Sequence, residues 1–216
     1  MASVQTRRFV AGAIAGLAMV GIGGAAKADP PIRIVALGDS LTAGLGLPAQ
    51  DAFPAKLERA LNAKGIAATV ENAGVSGDTA SGGLARLDWS VPDGTDAVIV
   101  ELGANDALRG LDPKRTRAAL EAIVTRLKAR RIAVLLAGML APRNLGADYA
   151  RAFDPIYPDL AAKYDLVLYP FFLDGVAADP ALNQGDGLHP TAAGVDVIVT
   201  RMLPKVEELI GRVKTR

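Results

Sequence analysis

The sequence holds one histidine, His189, and an acid, Asp186, stands three positions before it. On a turn or short helix that spacing lets the carboxylate reach the imidazole. Such a pair takes a proton from a hydroxyl and returns it to a leaving group, the acid fixing the tautomer and stabilising the imidazolium. The chain has no cysteine, so a nucleophile served by this pair would be Ser, Thr, Lys or a carboxylate. Ser40 is the candidate. It lies in Gly38-Asp39-Ser40-Leu41, after the apolar run Ile32 to Leu37 and before the small residues Thr42-Ala43-Gly44. A buried strand that stops at this turn and restarts as a helix places a hydroxyl at a strand's carboxyl end, where open parallel sheets bind ligands. Taken singly, each feature has a plain alternative: Gly-Asp-Ser is a common turn, and a histidine ahead of a C-terminal helix is commonly a surface residue.

Two further residues fit the same chemistry. Asn105 follows another apolar run, and a side-chain amide there can donate to a developing oxyanion. Gly77 lets the backbone approach a substrate closely, so its N–H can be a second donor. The N–H of Ser40, at the start of a helix, would be a third. A turn glycine and a helix-capping asparagine are the alternatives. The joint pattern argues more strongly than any member: polar segments at 38–40, 74–78, 103–106 and 186–189 each follow a strand or lie close to one.

The elements that must bring these segments together alternate along the chain. Strands are expected at Ile32 to Leu37, Ala67 to Val70, Asp96 to Leu102, Ile132 to Leu136 and Leu166 to Leu168. Helical spacing links Phe53, Leu57, Ala60 and Leu61, with Gly65 as a stop. Pro113 opens a second helix, whose face is Leu120, Ile123, Val124 and Leu127, and which ends in the basic stretch Lys128 to Arg131. Tyr149 to Tyr164 reads as a helix disturbed by Pro155 and Pro158. Thr191 to Val213 reads as a final amphipathic helix kinked at Pro204. This alternation predicts a three-layer α/β/α sandwich on a five-stranded parallel sheet, which puts every segment that follows a strand at one edge. Trp89, the only tryptophan, is expected to pack.

Composition bounds the partners. The 216 residues suit one domain, and 50% hydrophobic content supports a sizeable core. A net charge of +1 without a long run of one sign gives no footprint for nucleic acid and no polybasic membrane anchor. One histidine and no cysteine argue against a histidine- or thiolate-bound metal, and no cofactor is expected. At the N-terminus, Arg7-Arg8, the apolar run Phe9 to Ile22 and Ala26-Lys27-Ala28 read as a cleaved secretory signal over residues 1–28, with a weak likeness to a twin-arginine leader. The domain would then cover 29–216 and work in the periplasm or outside the cell, without a stable membrane anchor. An uncleaved anchor is the alternative, although the run is short of the ~20 residues a span needs.

The set Gly38-Asp39-Ser40-Leu41, Gly77, Gly103-Ala104-Asn105-Asp106 and Asp186-Gly187-Leu188-His189 resembles the four blocks of the SGNH hydrolase (GDSL esterase/lipase) superfamily, in order and spacing. Val75-Ser76-Gly77-Asp78-Thr79, Leu84-Ala85-Arg86-Leu87, Val100-Glu101-Leu102-Gly103, Leu108-Arg109-Gly110 and Ile156-Tyr157-Pro158 are similar to its periplasmic acyl-CoA thioesterase, arylesterase and lysophospholipase branch. The resemblance implies the flavodoxin-like fold of that superfamily. It implies Ser40 as nucleophile, His189 as base and Asp186 as its orienting acid, with Ser40, Gly77 and Asn105 as the oxyanion hole. It implies a segment over Ala107 to Pro113 that covers the acyl chain, where Leu108 and Leu111 either touch substrate or seal the core. Met139 to Asn144 departs from the family pattern in a loop that shapes the acyl pocket. Asp39 is given a structural role at the turn.

The implied substrates are small acyl esters: lysophospholipids, aryl esters and acyl thioesters. No nucleic acid and no obligate protein partner are expected. An O-acetylesterase acting on polysaccharide or peptidoglycan is the nearest rival, and a non-catalytic lipid- or glycan-binding protein is the rival of another class.

Overall fold

A computed structural model describes residues 1–2 and 30–214. The leader expected over residues 1–28 lies outside the described residues apart from Met1 and Ala2. In chain order the elements are β1 (Ile32–Gly38), α1 (Ser40–Ala43), α2 (Phe53–Ala63), β2 (Ala68–Gly74), α3 (Ala80–Ala85), α4 (Leu87–Ser90), β3 (Ala97–Glu101), α5 (Ala104–Leu108), α6 (Pro113–Ala129), β4 (Ala133–Ala137), α7 (Ala147–Phe153), α8 (Ile156–Tyr164), β5 (Val167–Tyr169) and α9 (Ala192–Lys214).

The sheet has five strands in the order β2-β1-β3-β4-β5, and all neighbouring strands run parallel. This is the flavodoxin-like doubly wound order, whose chain reversal between β1 and β3 opens a crevice at the carboxyl ends of those two strands. β3 and β4 are buried along their whole length, as strands covered by helices on both faces must be. That explains their unbroken apolar runs, with one exception: Glu101, fully buried at the end of β3. β2 is an edge strand with alternating burial in its first half. Its polar continuation Glu71 to Gly74 pairs with β1, so the strand runs four residues beyond Val70. The backbone ladder there offsets what side-chain pattern alone does not signal.

Helices α2 and α9 pack on one another, α9 also lying against β3, β4 and β5. α9 buries Val195, Ile198, Val199, Met202, Val206, Leu209 and Ile210, spaced at three and four residues, and each such side chain contributes roughly 1.5–3 kcal/mol of burial. The helix continues through Pro204. The segment expected as one helix from Tyr149 is two, divided at Asp154-Pro155. Pro155 supplies no N–H to an interior turn, whereas Pro158 sits in the first turn of α8, where none is needed. Trp89 does not pack: it is 78% exposed on the one-turn helix α4, whose inward residue is Leu87. A single turn has one face to bury, and Leu87 occupies it. No helix among the described residues is long and apolar enough to cross a membrane.

Candidate active site

β1 delivers the chain to the crevice with its backbone tightly enclosed. A Cβ on Gly38 would overlap Thr42 Oγ1 and Glu101 Oε2, so the turn after β1 needs glycine there. Asp39 caps α1, its Oδ1 accepting the Leu41 N–H at 3.0 Å. Ser40 opens the helix and is only 8% exposed. Its N–H has no acceptor within a helix that begins at that residue.

His189 comes from a different part of the chain. Gln184 N–H bonds the His189 carbonyl at 2.7 Å, and Asn183 and Pro190 form an antiparallel bridge. The Gln184 side chain ties this pinched loop to the segment after Ser40, donating to Leu45 O at 2.8 Å and Pro190 O at 2.9 Å. Within the loop Asp186 Oδ1 accepts the N–H groups of Leu188 and His189 at 2.9 and 3.0 Å. Gly187 supplies the positive φ of 70° that this turn requires.

The two pieces meet. Ser40 Oγ lies 2.8 Å from His189 Nε2, and His189 Nδ1 lies 2.6 Å from Asp186 Oδ2. The two backbone N–H bonds and the bond from the imidazole hold the Asp186 carboxyl well below the ordinary carboxylate range. An ionised carboxylate only accepts, so Nδ1 carries the ring proton and Nε2 presents its lone pair to the Ser40 hydroxyl. This arrangement removes a proton from Oγ as a bond forms there.

The expected oxyanion donors reach the same place. Gly77 occupies a turn closed by Asp78 N–H to Val75 O at 3.1 Å, with a φ of 85°. Asn105 lies in the first turn of α5, which follows Gly103, the N-cap, with a φ of 111°. Ser40, Gly77, Asn105 and His189 all line one cavity of about 710 Å³. The Asn105 amide is engaged at rest: Nδ2 donates to Asp39 Oδ2 at 3.1 Å and to Asp78 O at 2.9 Å. Asp39 therefore does more than cap a turn.

Apart from Ser76 and Arg143, the rest of the cavity wall is apolar. Leu45, Leu108 and Leu188 contribute to it, as do Met139 to Pro142, Phe171 and Leu173. Leu108 of the expected covering segment is thus at the cavity. Leu111 is not among its lining residues; its carbonyl instead accepts from Tyr149 Oη at 2.8 Å. The segment from Phe171 is anchored by Phe172, which packs edge-on against Phe53 of α2 at 5.2 Å between ring centroids.

Three residues beneath the site escaped the sequence reading. Arg86 is buried and donates to Gly38 O at 2.8 Å and Asp78 Oδ2 at 2.6 Å, joining the turns that carry Ser40 and Gly77. Thr42 Oγ1 donates to Glu101 Oε2 at 2.7 Å. Glu101 and Arg86 both stand in stretches similar to the family branch, but nothing in those stretches shows what either side chain bonds; for Glu101 the further signal is an acid closing an apolar strand.

Residues 36–197 match the model of the GDSL-like lipase/acylhydrolase family. The chain is 36% identical over 178 residues to the esterase TesA of Pseudomonas aeruginosa, covering 82% of this chain and 89% of that protein. It is 39% identical over 188 residues to an Escherichia coli K12 protein named "Thioesterase 1/protease 1/lysophospholipase L1", covering 87% and 88%. Among solved structures, AlinE4, an SGNH-hydrolase family esterase, is similar at 50% identity with a TM-score of 0.72, over 84% of this chain and 98% of that one.

Proposed function

The chain belongs to the GDSL-like lipase/acylhydrolase family and is a serine esterase of small-molecule esters; on that premise we propose that Ser40, His189 and Asp186 are its catalytic residues. The supporting observation is the line from Ser40 Oγ through His189 to Asp186, at 2.8 and 2.6 Å, opening on an apolar cavity. Ser40 Oγ attacks the acyl carbonyl while its proton passes to His189 Nε2. The carbonyl π electrons move onto oxygen. The Ser40 N–H, the Gly77 N–H and Asn105 Nδ2 donate to that oxyanion, the amide sharing its N–H groups as bifurcated bonds with the acceptors it already has. When the intermediate collapses, the bond to the leaving oxygen or sulfur breaks, and His189 protonates the departing atom. Water, deprotonated by His189, then attacks the acyl-enzyme; the acyl–Oγ bond breaks, His189 returns the proton to Ser40 Oγ, and the acid is freed.

The substrate class follows from the cavity wall. Leucines, Met139 and Phe171 line far more space than an acetyl group fills, which favours esters of longer acyl chains, lysophospholipids among them, with aryl esters and acyl thioesters as further substrates. We read residues 1–28 as an export signal and the enzyme as periplasmic or secreted, where CoA thioesters are scarce. That location favours oxyesters as the natural target.

Ser40→Ala is expected to abolish turnover with the circular dichroism spectrum unchanged. Retained turnover would remove Ser40 from the chemistry. The same assay on p-nitrophenyl esters from acetate to palmitate, with one acyl-CoA and one lysophosphatidylcholine, tests the substrate class. A strict preference for acetate would instead support the polysaccharide O-acetylesterase reading. Asn105→Ala is expected to lower kcat by about 10²-fold.

A further inference from the structure

Two carboxyl groups beneath the site, Asp39 and Glu101, have no part in the steps above. Both are fully buried. Glu101 Oε2 accepts from Thr42 Oγ1 at 2.7 Å and from Asp39 N–H at 3.3 Å. Glu101 Oε1 is buried with no donor aimed at it. As part of a carboxylate, that oxygen would carry charge out of water with nothing to balance it, at a heavy cost. As a hydroxyl it needs only an acceptor, and the candidate is the carboxyl of Asp39, the residue whose N–H already bonds Glu101 Oε2 and whose charge bears on Glu101. Asp39 is the better home for the negative charge. Its Oδ1 accepts the Leu41 N–H at 3.0 Å, and its Oδ2 accepts Asn105 Nδ2 at 3.1 Å.

We propose that Glu101 is a neutral acid that hydrogen-bonds Asp39 and, through it, fixes the Asn105 amide at the cavity wall. Glu101 and Asp39 are then positioning residues for an oxyanion donor. This rests on the reading of Asn105 as that donor. Burial pushes both acids up, and the Asp39 charge raises Glu101 further, while the Leu41 and Asn105 donors pull Asp39 back. The remaining ionisable groups around the pair are accounted for. His189 draws Asp39 down. Arg86 is committed to the Gly38 carbonyl and Asp78. Asp106 accepts from Ala80 N–H and Thr116 Oγ1. Tyr157 donates to the Leu102 carbonyl.

The test is steady-state hydrolysis of p-nitrophenyl butyrate by Glu101→Leu, Glu101→Gln, Asn105→Ala and the Leu/Ala double variant, from neutral to alkaline pH. Glu101→Leu is expected to lower kcat by about 10²-fold with KM within about twofold, because a displaced donor acts on the transition state. Glu101→Gln restores most of that loss. Its carbonyl oxygen takes the bonds from Thr42 and the Asp39 N–H, and its amide donates to the Asp39 carboxylate. Wild-type kcat falls on the alkaline side as Glu101 ionises, and the Gln variant lacks that fall. In the Asn105→Ala background, Glu101→Leu costs less than about twofold more.

Equal losses from Glu101→Leu with and without Asn105, or a Gln variant as impaired as Leu, would overturn the proposal while leaving Asn105 as donor. An Asn105→Ala enzyme with wild-type kcat would remove the donor reading and this inference together. Should the Leu variant not fold, the activity and alkaline profile of the Gln variant decide.

Discussion

In the mechanism proposed above, Ser40 is a nucleophile only while His189 offers it a lone pair, and Asp186 decides which ring nitrogen that is. With asparagine at 186, an amide N–H could meet Nδ1 and leave the proton on Nε2, the wrong tautomer. Asp186→Asn is therefore expected to cut kcat by up to about 10⁴-fold with KM little changed, measured on a short aryl ester. Because its carboxyl is held below the ordinary range, Asp186 supplies stability that is present at neutral pH and lost as the solution is acidified through its folded pKa. At this scale the sequence was informative about the residues that the fold gathers. Asp186, His189, Ser40, Gly77 and Asn105 are recognisable by type and spacing, and the structure brings all five to one cavity or its edge. It was silent on what holds them. The Asn105 amide bonds to Asp39 and to the Asp78 carbonyl, and backbone acceptors leave no trace in residue identity.

Three neighbouring elements depend on one cation. Arg86 follows α3 and reaches both the end of β1 and the turn that holds Gly77. Arg86→Met keeps most of its length but leaves the largely buried Asp78 carboxylate without its cation and the Gly38 carbonyl with the Val75 N–H alone. It is expected to cost about 3 kcal/mol in urea unfolding and to reduce kcat through the loosened turns. A change smaller than about 0.5 kcal/mol would show that the two turns hold each other without it. Elements with a strong apolar period, such as β1, β3, β4, α6 and α9, were legible, since burial on a fixed face writes itself into sequence. The short helices α3 and α4 were not. Ala80 to Ala85 holds two glycines and little apolar period; packing and the Thr79 cap, whose Oγ1 accepts the Gly82 N–H at 3.2 Å, hold it helical. The outward turn of Trp89 is unreadable for the same reason: a one-turn helix gives too few residues to tell its inner face from its outer.

The molecule as a whole keeps an acid pair buried where β1 and β3 end, and its stability should register that. An unfolded chain releases the Glu101 proton near the ordinary value of 4.5, whereas the folded chain holds it far longer. Over that interval the native state binds more protons, so stability falls as pH rises. Glu101→Gln has no proton to release. Its Tm relative to wild type is expected to climb between about pH 5 and about pH 8; a constant difference would mean that Glu101 ionises as an ordinary acid. The architecture at this scale was readable, because alternating strand and helix patterns leave few topologies open. The crevice itself was readable only through the sheet order, since the reversal between β1 and β3 puts Ser40 beside Asn105.

The solitary histidine has a practical consequence. Its ring protons give one imidazole pair in an NMR spectrum, free of overlap from any other histidine, so the protonation state of the proposed general base can be followed directly in the unmodified enzyme. Comparing that signal with the pH dependence of the rate would show whether one side chain governs the reaction, without a mutation.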